Sequence, residues 1–259
     1  RAQFDASEEF QERSRARVVA LQGGDAETLR LWRLLVATSV AYFGAVYDKL
    51  DVGLTEADVV GESAYNDLLQ GVVDDLEAAG LITISDGARC VFPEGFANRD
   101  GEPLPLIVQK SDGGFGYAAT DLAAIRDRVG TIGADAILYV VGAPQAQHFA
   151  MVFAVARMAG WLPEVVEATH VAFGSVLGPD RKVFRTREGG TVKLVDLLEE
   201  SQRRASAAMA ERGLAEGEEA QLVAAQVGIG AVKWADLSTD RVKDYVFDWD
   251  RMLAFDGDT

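Results

Sequence analysis

The sequence predicts an α/β fold in which parallel strands are joined by helical crossovers. Two observations predict it: three short apolar runs each followed by a helical or polar connecting segment, and a glycine-rich turn where the first run meets its helix. The runs are Leu106-Ile107-Val108, Ala136-Ile137-Leu138-Tyr139-Val140-Val141 and Thr169-His170-Val171-Ala172-Phe173. Leu106-Ile107-Val108 reads as a strand buried on both faces, Ala136 to Val141 as a buried strand, and Thr169 to Phe173 as a third strand. Long helical patterns flank them on either side.

The elements follow in order. A charged helical segment runs through Glu8, Glu9, Gln11, Glu12 and Arg13. Asp25 is placed to cap a second helix, whose Leu29, Trp32, Leu35, Val36, Val40, Phe43, Val46, Tyr47 and Leu50 recur at helical spacing and predict a core element. A third helix spans about Tyr65 to Ala79 and stops before Gly80. Leu81-Ile82-Thr83-Ile84 and Ala88-Arg89-Cys90-Val91-Phe92, separated by Ser85-Asp86-Gly87, read as a β-hairpin. After Leu106-Ile107-Val108 the glycines between Lys110 and Gly116 permit a tight turn, and Tyr117 through Val129 is helical through Leu122, Ile125 and Val129. Helices are also predicted over Gln145–Gly160, Leu194–Glu211 and Glu218–Leu237, with a last aromatic segment holding Tyr245, Phe247, Trp249 and Phe255. Gly228-Ile229-Gly230 lies inside a helical pattern, where small residues suit close helix packing.

Composition narrows the function classes. The 259 residues are 49% hydrophobic, enough for one large core or two modest ones. A single cysteine, Cys90, excludes an internal disulfide and a structural cysteine site for zinc, and it suits a reducing, cytoplasmic setting. With only His148 and His170, a histidine-rich metal centre has little material. The apolar stretch Leu31 to Val46 is interrupted by Arg33, Thr38 and Ser39, so no membrane role is expected. The net charge of −16 argues against broad affinity for nucleic acid but permits a locally positive groove. The chain opens on Arg1 without a methionine and stops at Thr259, and is expected to be an internal piece of a longer protein.

Three loops gather the candidate chemistry. Tyr117 and Asp121, four positions apart on one helix, share a face at the carboxyl end of a strand, where open α/β sheets bind ligands. Gln145 and His148 open the helix after the next strand. The loop Gly174 to Gly190 carries Arg181, Lys182, Arg185, Thr186 and Arg187 in an otherwise acidic chain, as a polyphosphate-closing loop would. Each has a plainer reading: a structural glycine turn without a Walker pattern, a solvated first-turn carboxylate, a satisfied histidine, a solvated basic loop. Together they suit a cationic small molecule held beside a nucleotide.

The run Ile107-Val108-Gln109-Lys110-Ser111-Asp112-Gly113-Gly114 with Tyr117 and Thr120-Asp121-Leu122-Ala123-Ala124 resembles the catalytic domain of arginyl-tRNA synthetases, which are class I aminoacyl-tRNA synthetases. So do Val59-Val60-Gly61-Glu62-Ser63 with Tyr65-Asn66, Tyr139-Val140-Val141-Gly142 with Gln145 and His148-Phe149, Phe184-Arg185-Thr186-Arg187 with Gly189 to Leu194, and Tyr245 to Leu253. The resemblance covers nearly the whole chain from about residue 10. It implies a partial class I synthetase Rossmann-like parallel sheet with a helical insertion and C-terminal helices. Residues 1–105 would be the helical and connective part with the hairpin, 106–190 the second half of the nucleotide-binding fold, and 191–259 a helical stem-contact region.

The implied activity is ATP-dependent conversion of L-arginine to arginyl-adenylate and transfer to the 3′ end of tRNA(Arg). ATP would be a substrate brought with Mg2+, with no tightly bound cofactor, and the parent protein a cytoplasmic monomer. Matching positions assign arginine recognition to Tyr117, Asp121, Gln145 and Glu62, and the ATP site to His148, Val176, Lys182, Arg185, Thr186 and Arg187. Physical chemistry agrees, since a planar, permanently charged guanidinium favours a bidentate carboxylate. Two departures stand out: Val183 occupies the position of the first lysine of the KMSKS loop, beside Lys182, and the His-Ile-Gly-His signature is nowhere in the chain. The competing expectation is a noncatalytic arginine-binding or regulatory module descended from a synthetase.

Overall fold

Local signals set most element boundaries in the computed structural model, which describes residues 2–178, 180–182, 193–213, 217–246 and 248. The chain forms two compact units, residues 1–59 with 193–200, and residues 60–192 with 201–259.

In the first unit, helices α1 (Ala2–Ala6), α2 (Glu8–Gln22) and α3 (Ala26–Leu50) follow one another. Ser7 caps α2 by accepting the N–H of Phe10 at 3.2 Å. Asp25 caps α3 as predicted, accepting the N–H of Thr28 at 2.9 Å and its hydroxyl at 2.6 Å. These bonds hold the Asp25 carboxyl below its ordinary value. The expectation that α3 is a core element is corrected: only Thr28 and Val46 are buried along it, while Leu34 is 60% and Leu35 68% exposed. Helical periodicity reveals which side chains share a face, not whether anything covers it. By length and composition α3 would also pass for a membrane span.

The second unit begins with a 3-10 turn, Glu62–Leu68, which leads into α4 (Leu69–Ala78). Gly80, at φ +69°, ends α4 as expected. Strands β1 (Thr83–Ser85) and β2 (Ala88–Val91) form the predicted hairpin around Asp86 and Gly87, both at positive φ, as a two-residue turn between twisted antiparallel strands requires. Cys90 is a buried free thiol that burial pushes up, which leaves it inert. Strand β3 (Leu106–Gln109) adds to β2 antiparallel. Then come α5 (Tyr117–Gly130), β4 (Ala136–Gly142), a 3-10 turn over Ala143–Gln145, α6 (Ala146–Met158), β5 (Glu167–Phe173) and β6 (Val176–Leu177). Helices α7 (Leu194–Glu211) and α8 (Gly217–Leu237) and strand β7 (Tyr245–Val246) complete the described chain.

The predicted parallel crossover is present: β4 and β5 pair in parallel from Ala136↔Glu167 to Gly142↔Phe173, with α6 between them. Two expectations are corrected. β3 does not join that sheet, because its hydrogen bonds go to the hairpin. Neither β3 nor β4 is buried on both faces: Leu106 and Val108 face inward while Ile107 is exposed, and Leu138 and Val140 are 63% and 65% exposed opposite buried Ile137 and Tyr139. An apolar run specifies extended backbone but neither the partner strand nor the cover on each face.

One core serves the β1–β2–β3 and β4–β5 sheets. Val72, Val73 and Leu76 of α4, Leu122 and Ile125 of α5, and Val152 and Val155 of α6 are fully buried with Val91 and Val108. The small residue Gly228 has the expected packing role, since a Cβ there would lie 2.7 Å from the backbone nitrogen of Gln202 on α7. Leu122→Ala should lower unfolding stability by about 2–5 kcal/mol through lost burial and a residual cavity. Gly228→Ala should also destabilise, by forcing α7 and α8 apart. Urea titration followed by circular dichroism reads both, and a midpoint unchanged by either substitution would contradict the packing described.

Candidate active site

The turn after β3 builds the first wall of the site. Lys110 donates its N–H to the Gly114 carbonyl at 2.8 Å, and Gly113 donates to the Lys110 carbonyl at 3.0 Å. The Asp112 carboxylate accepts the Gly114 N–H at 2.9 Å. Gly113 sits at φ +84°, a conformation that a side chain would strain. The chain thus reverses on itself and enters α5 at Tyr117, with Asp121 one turn further along. The strand β4, on its own sheet, delivers α6 in a similar way, with Gln145 as its N-cap and His148 in its first turn.

The two helices meet through those residues. His148 Nε2 lies 2.6 Å from Asp121 Oδ2, with side chains 28% and 25% exposed. A carboxylate accepts, so Nε2 carries the proton and donates. Behind the pair the His148 ring meets Phe149 edge-on at 5.3 Å, and Phe149 stacks obliquely on Tyr139 and His170 at 4.8 and 5.1 Å. His170 in turn donates to the Val141 carbonyl at 2.9 Å. This aromatic wall packs against His148 and holds its ring in place.

Tyr139 is a member of the site that sequence reasoning missed. Its hydroxyl is buried without a hydrogen-bond partner among the described residues, while the Arg128 guanidinium lies 5.2 Å from the ring centre. Burial pushes the phenol up to about 12; Arg128 opposes the shift, and Asp121 and Tyr65 add to it. Those influences place Tyr65, buried within the 3-10 turn Glu62–Leu68, in the same electrostatic neighbourhood. The available signal was a tyrosine at an inward position of β4, where phenylalanine would pack without a polar tip.

The structure brings Asp121 and His148 into contact and places Tyr117 and Gln145 at the N-terminal ends of the same two helices. Tyr117 is 73% exposed and Gln145 is exposed. Glu62 is exposed at the first position of its 3-10 turn, which packs against α5. Of the residues expected to meet ATP, Val176 is half-buried in β6, and Lys182 is exposed, its carbonyl accepting the Gly178 N–H at 2.7 Å. Arg185, Thr186 and Arg187, with Val183, lie outside the described residues.

A second missed feature fixes the base of that loop. The segment after α8 hooks onto the turn between β5 and β6: Gly174 donates to the Arg241 carbonyl at 2.8 Å, Ser175 to the Asp244 carboxylate at 2.6 Å, and Tyr245 to the Ser175 carbonyl at 3.1 Å. The Arg241 guanidinium also donates to the Ala172 carbonyl. A side chain at Gly174 would collide with the Lys243 carbonyl, so glycine is required there by close approach. Val176 then pairs with Tyr245, and a cavity of about 660 Å³ opens beside them, lined by Val140, Phe173, Asp236 and Asp240 among others. The partners are about seventy positions apart, which no local pattern announces.

Comparison with known proteins follows the same lines. The family model described as "tRNA synthetases class I (R), catalytic domain" matches residues 1–249. An Arginine--tRNA ligase of Thermobifida fusca is 56% identical over 260 residues, covering all of this chain and 45% of that protein. One from Streptomyces avermitilis is 54% identical over 263 residues, covering 44% of its length. The chain therefore spans less than half the length of the curated relatives it matches. Among solved structures, an arginyl-tRNA synthetase from Plasmodium falciparum superposes over the whole chain with a TM-score of 0.80 at 29% identity, covering 44% of that structure. The Thermus thermophilus arginyl-tRNA synthetase shares the fold at a TM-score of 0.73 and 21% identity, with 48% of it covered.

Tyr139 yields a pH prediction. Its phenol ordinarily ionises near 10.0 and is held up to about 12 in the fold, so the unfolded chain loses that proton first and stability declines as pH rises from 10 towards 12. Tyr139→Phe removes this linkage and an unpaired buried hydroxyl, so its urea midpoint at neutral pH should equal or exceed that of the unsubstituted protein and fall less steeply above pH 10. A neutral-pH midpoint clearly below the unsubstituted value would mean that the hydroxyl has a partner. Asp244→Ala should loosen the β5–β6 turn, visible as faster amide exchange at Ser175 with exchange in α4 unchanged.

Proposed function

This chain belongs to the family of class I tRNA synthetase (R) catalytic domains, and on that premise we propose that the protein containing it is an arginine–tRNA ligase. L-arginine is activated by ATP, supplied with Mg2+, to arginyl-adenylate, and the arginyl group then passes to the 3′-terminal adenosine of tRNA(Arg). The observation that carries this reading is the partly buried Asp121 carboxylate at the meeting of α5 and α6, within a chain whose relatives at 51–56% identity are named Arginine--tRNA ligases.

In the proposed mechanism Asp121 accepts two N–H bonds from the guanidinium. A carboxylate has about four lone-pair sites, so the bond from His148 leaves room for this fork. A lysine substrate, with one compact ammonium, would not fill it. Tyr117 covers the aliphatic stem, Gln145 orients the polar amino-acid end, and Glu62 adds negative charge at the rim. The substrate carboxylate attacks the α-phosphorus of ATP, the P–O bond to pyrophosphate breaks, and pyrophosphate departs with the electron pair. The backbone at Val176 meets the purine, and Lys182, Arg185, Thr186 and Arg187 stabilise the charge that develops on the phosphates. In the second step a ribose hydroxyl attacks the arginyl carbonyl and AMP leaves. The lone, buried Cys90 supports a reducing cytoplasmic setting.

Asp121→Ala in the full-length protein should cut arginine-dependent ATP–pyrophosphate exchange, measured with tRNA present, by roughly two to three powers of ten, because it leaves a guanidinium unpaired in a partly desolvated site. Unchanged exchange would remove Asp121 from arginine recognition. Arg187→Ala should lower turnover while leaving the KM for arginine within about twofold, as expected for a group acting on the transition state. A raised arginine KM at normal turnover would reassign the loop to substrate binding.

A further inference from the structure

We infer that His148 is a positioning residue for arginine selection, holding Asp121 through Nε2, and that it is not part of the ATP site. The inference rests on the reading of Asp121 as the guanidinium acceptor and adds to it the group that sets that carboxylate's orientation. Asp121 is on α5 and His148 on α6, so their 2.6 Å bond ties the side chains of the two helices together at this end of the fold. An aspartate has two side-chain torsions; fixing one oxygen fixes the plane of the other, and a bidentate fork tolerates little rotation of that plane.

The surroundings favour holding over nucleotide contact. Phe149 meets the imidazole edge-on, and the hydrogen-bonding capacity of Nε2 is spent on the carboxylate. Tyr139 is a further polar neighbour of Asp121, but its hydroxyl makes no hydrogen bond among the described residues, so the bond to Asp121 comes from His148. His148, bonded to Oδ2 at 2.6 Å, is thus the group that sets how Asp121 meets its ligand.

Two measurements test this. In the full-length protein, exchange kinetics with tRNA present are compared for the unsubstituted enzyme, His148→Ala and His148→Gln. Loss of a charge-assisted bond predicts an arginine KM raised about tenfold or more in His148→Ala, with the ATP KM within about twofold. His148→Gln, whose side-chain N–H can donate in place of Nε2, should recover most of the loss. A raised ATP KM with an unchanged arginine KM, or no difference between the alanine variant and the unsubstituted enzyme, would overturn the inference.

The second measurement needs no catalysis. Imidazole nitrogen NMR of this chain reports on His148 and His170 alone, since these are its only histidines. Asp121→Asn should move the His148 Nε2 resonance and leave that of His170, which is bonded to Val141 instead. If both resonances stay in place, the pairing is refuted. Because this readout is independent of arginine turnover, an unsubstituted enzyme that ignored arginine would sink the proposed activity without deciding the role of His148.

Discussion

The site depends on a single constraint, the approach of the N-terminal halves of α5 and α6 over one apolar core. Asp121 and His148 meet because Leu122 and Ile125 behind one, and Phe149 and Val152 behind the other, are buried in the same cluster. Each of those side chains contributes on the order of 1.5–3 kcal/mol by leaving water. A polar bond at 25–28% exposure contributes far less on its own, because both partners give up hydration to form it. Packing therefore brings the pair together, and the hydrogen bond then selects a geometry within the space that packing permits.

Charge placement follows from the same arrangement. The chain carries a net charge of −16, yet the carboxylate proposed to meet the guanidinium is one whose surroundings are structured: it is partly buried and bonded at Oδ2 by His148, whose ring packs on Phe149. Surface acids such as Glu27 and Asp58 are exposed and satisfied locally by Arg30 and Thr55. They influence the long-range field but select no ligand. Partial desolvation is what makes a charge discriminating, since a mismatched partner then leaves the cost of desolvation uncompensated.

The segment that hooks onto the β5–β6 turn shows a different use of the backbone. Arg241, Asp244 and Tyr245 tie residues 172–176 by main-chain and side-chain bonds at a point where Gly174 allows two strands of chain to touch. Such a tie links the stretch proposed to meet the purine to the helical region after it. Any shift of the 240–246 segment would be transmitted to Val176 through bonds rather than through soft side-chain contacts.

Much of this was legible in the sequence because it is local. Asp25 caps α3 through its own neighbour Thr28, Gly80 stops α4, and Asp86-Gly87 closes the hairpin, each through chemistry within a few residues. Tyr117 and Asp121 were readable as one helical face, and Gln145 and His148 as the start of the next helix, because periodicity fixes direction along a helix. The parallel pairing of β4 with β5 followed from the helix between them. What tertiary structure decided is non-local: that β3 takes its partner from the hairpin, that Leu34 and Leu35 of α3 remain exposed, that Asp121 bonds His148, and that Asp244 reaches Ser175. An amino-acid pattern states what a segment can bury or bond, but the identity of the partner depends on which distant segment arrives there, and that is set by the packing of the whole chain.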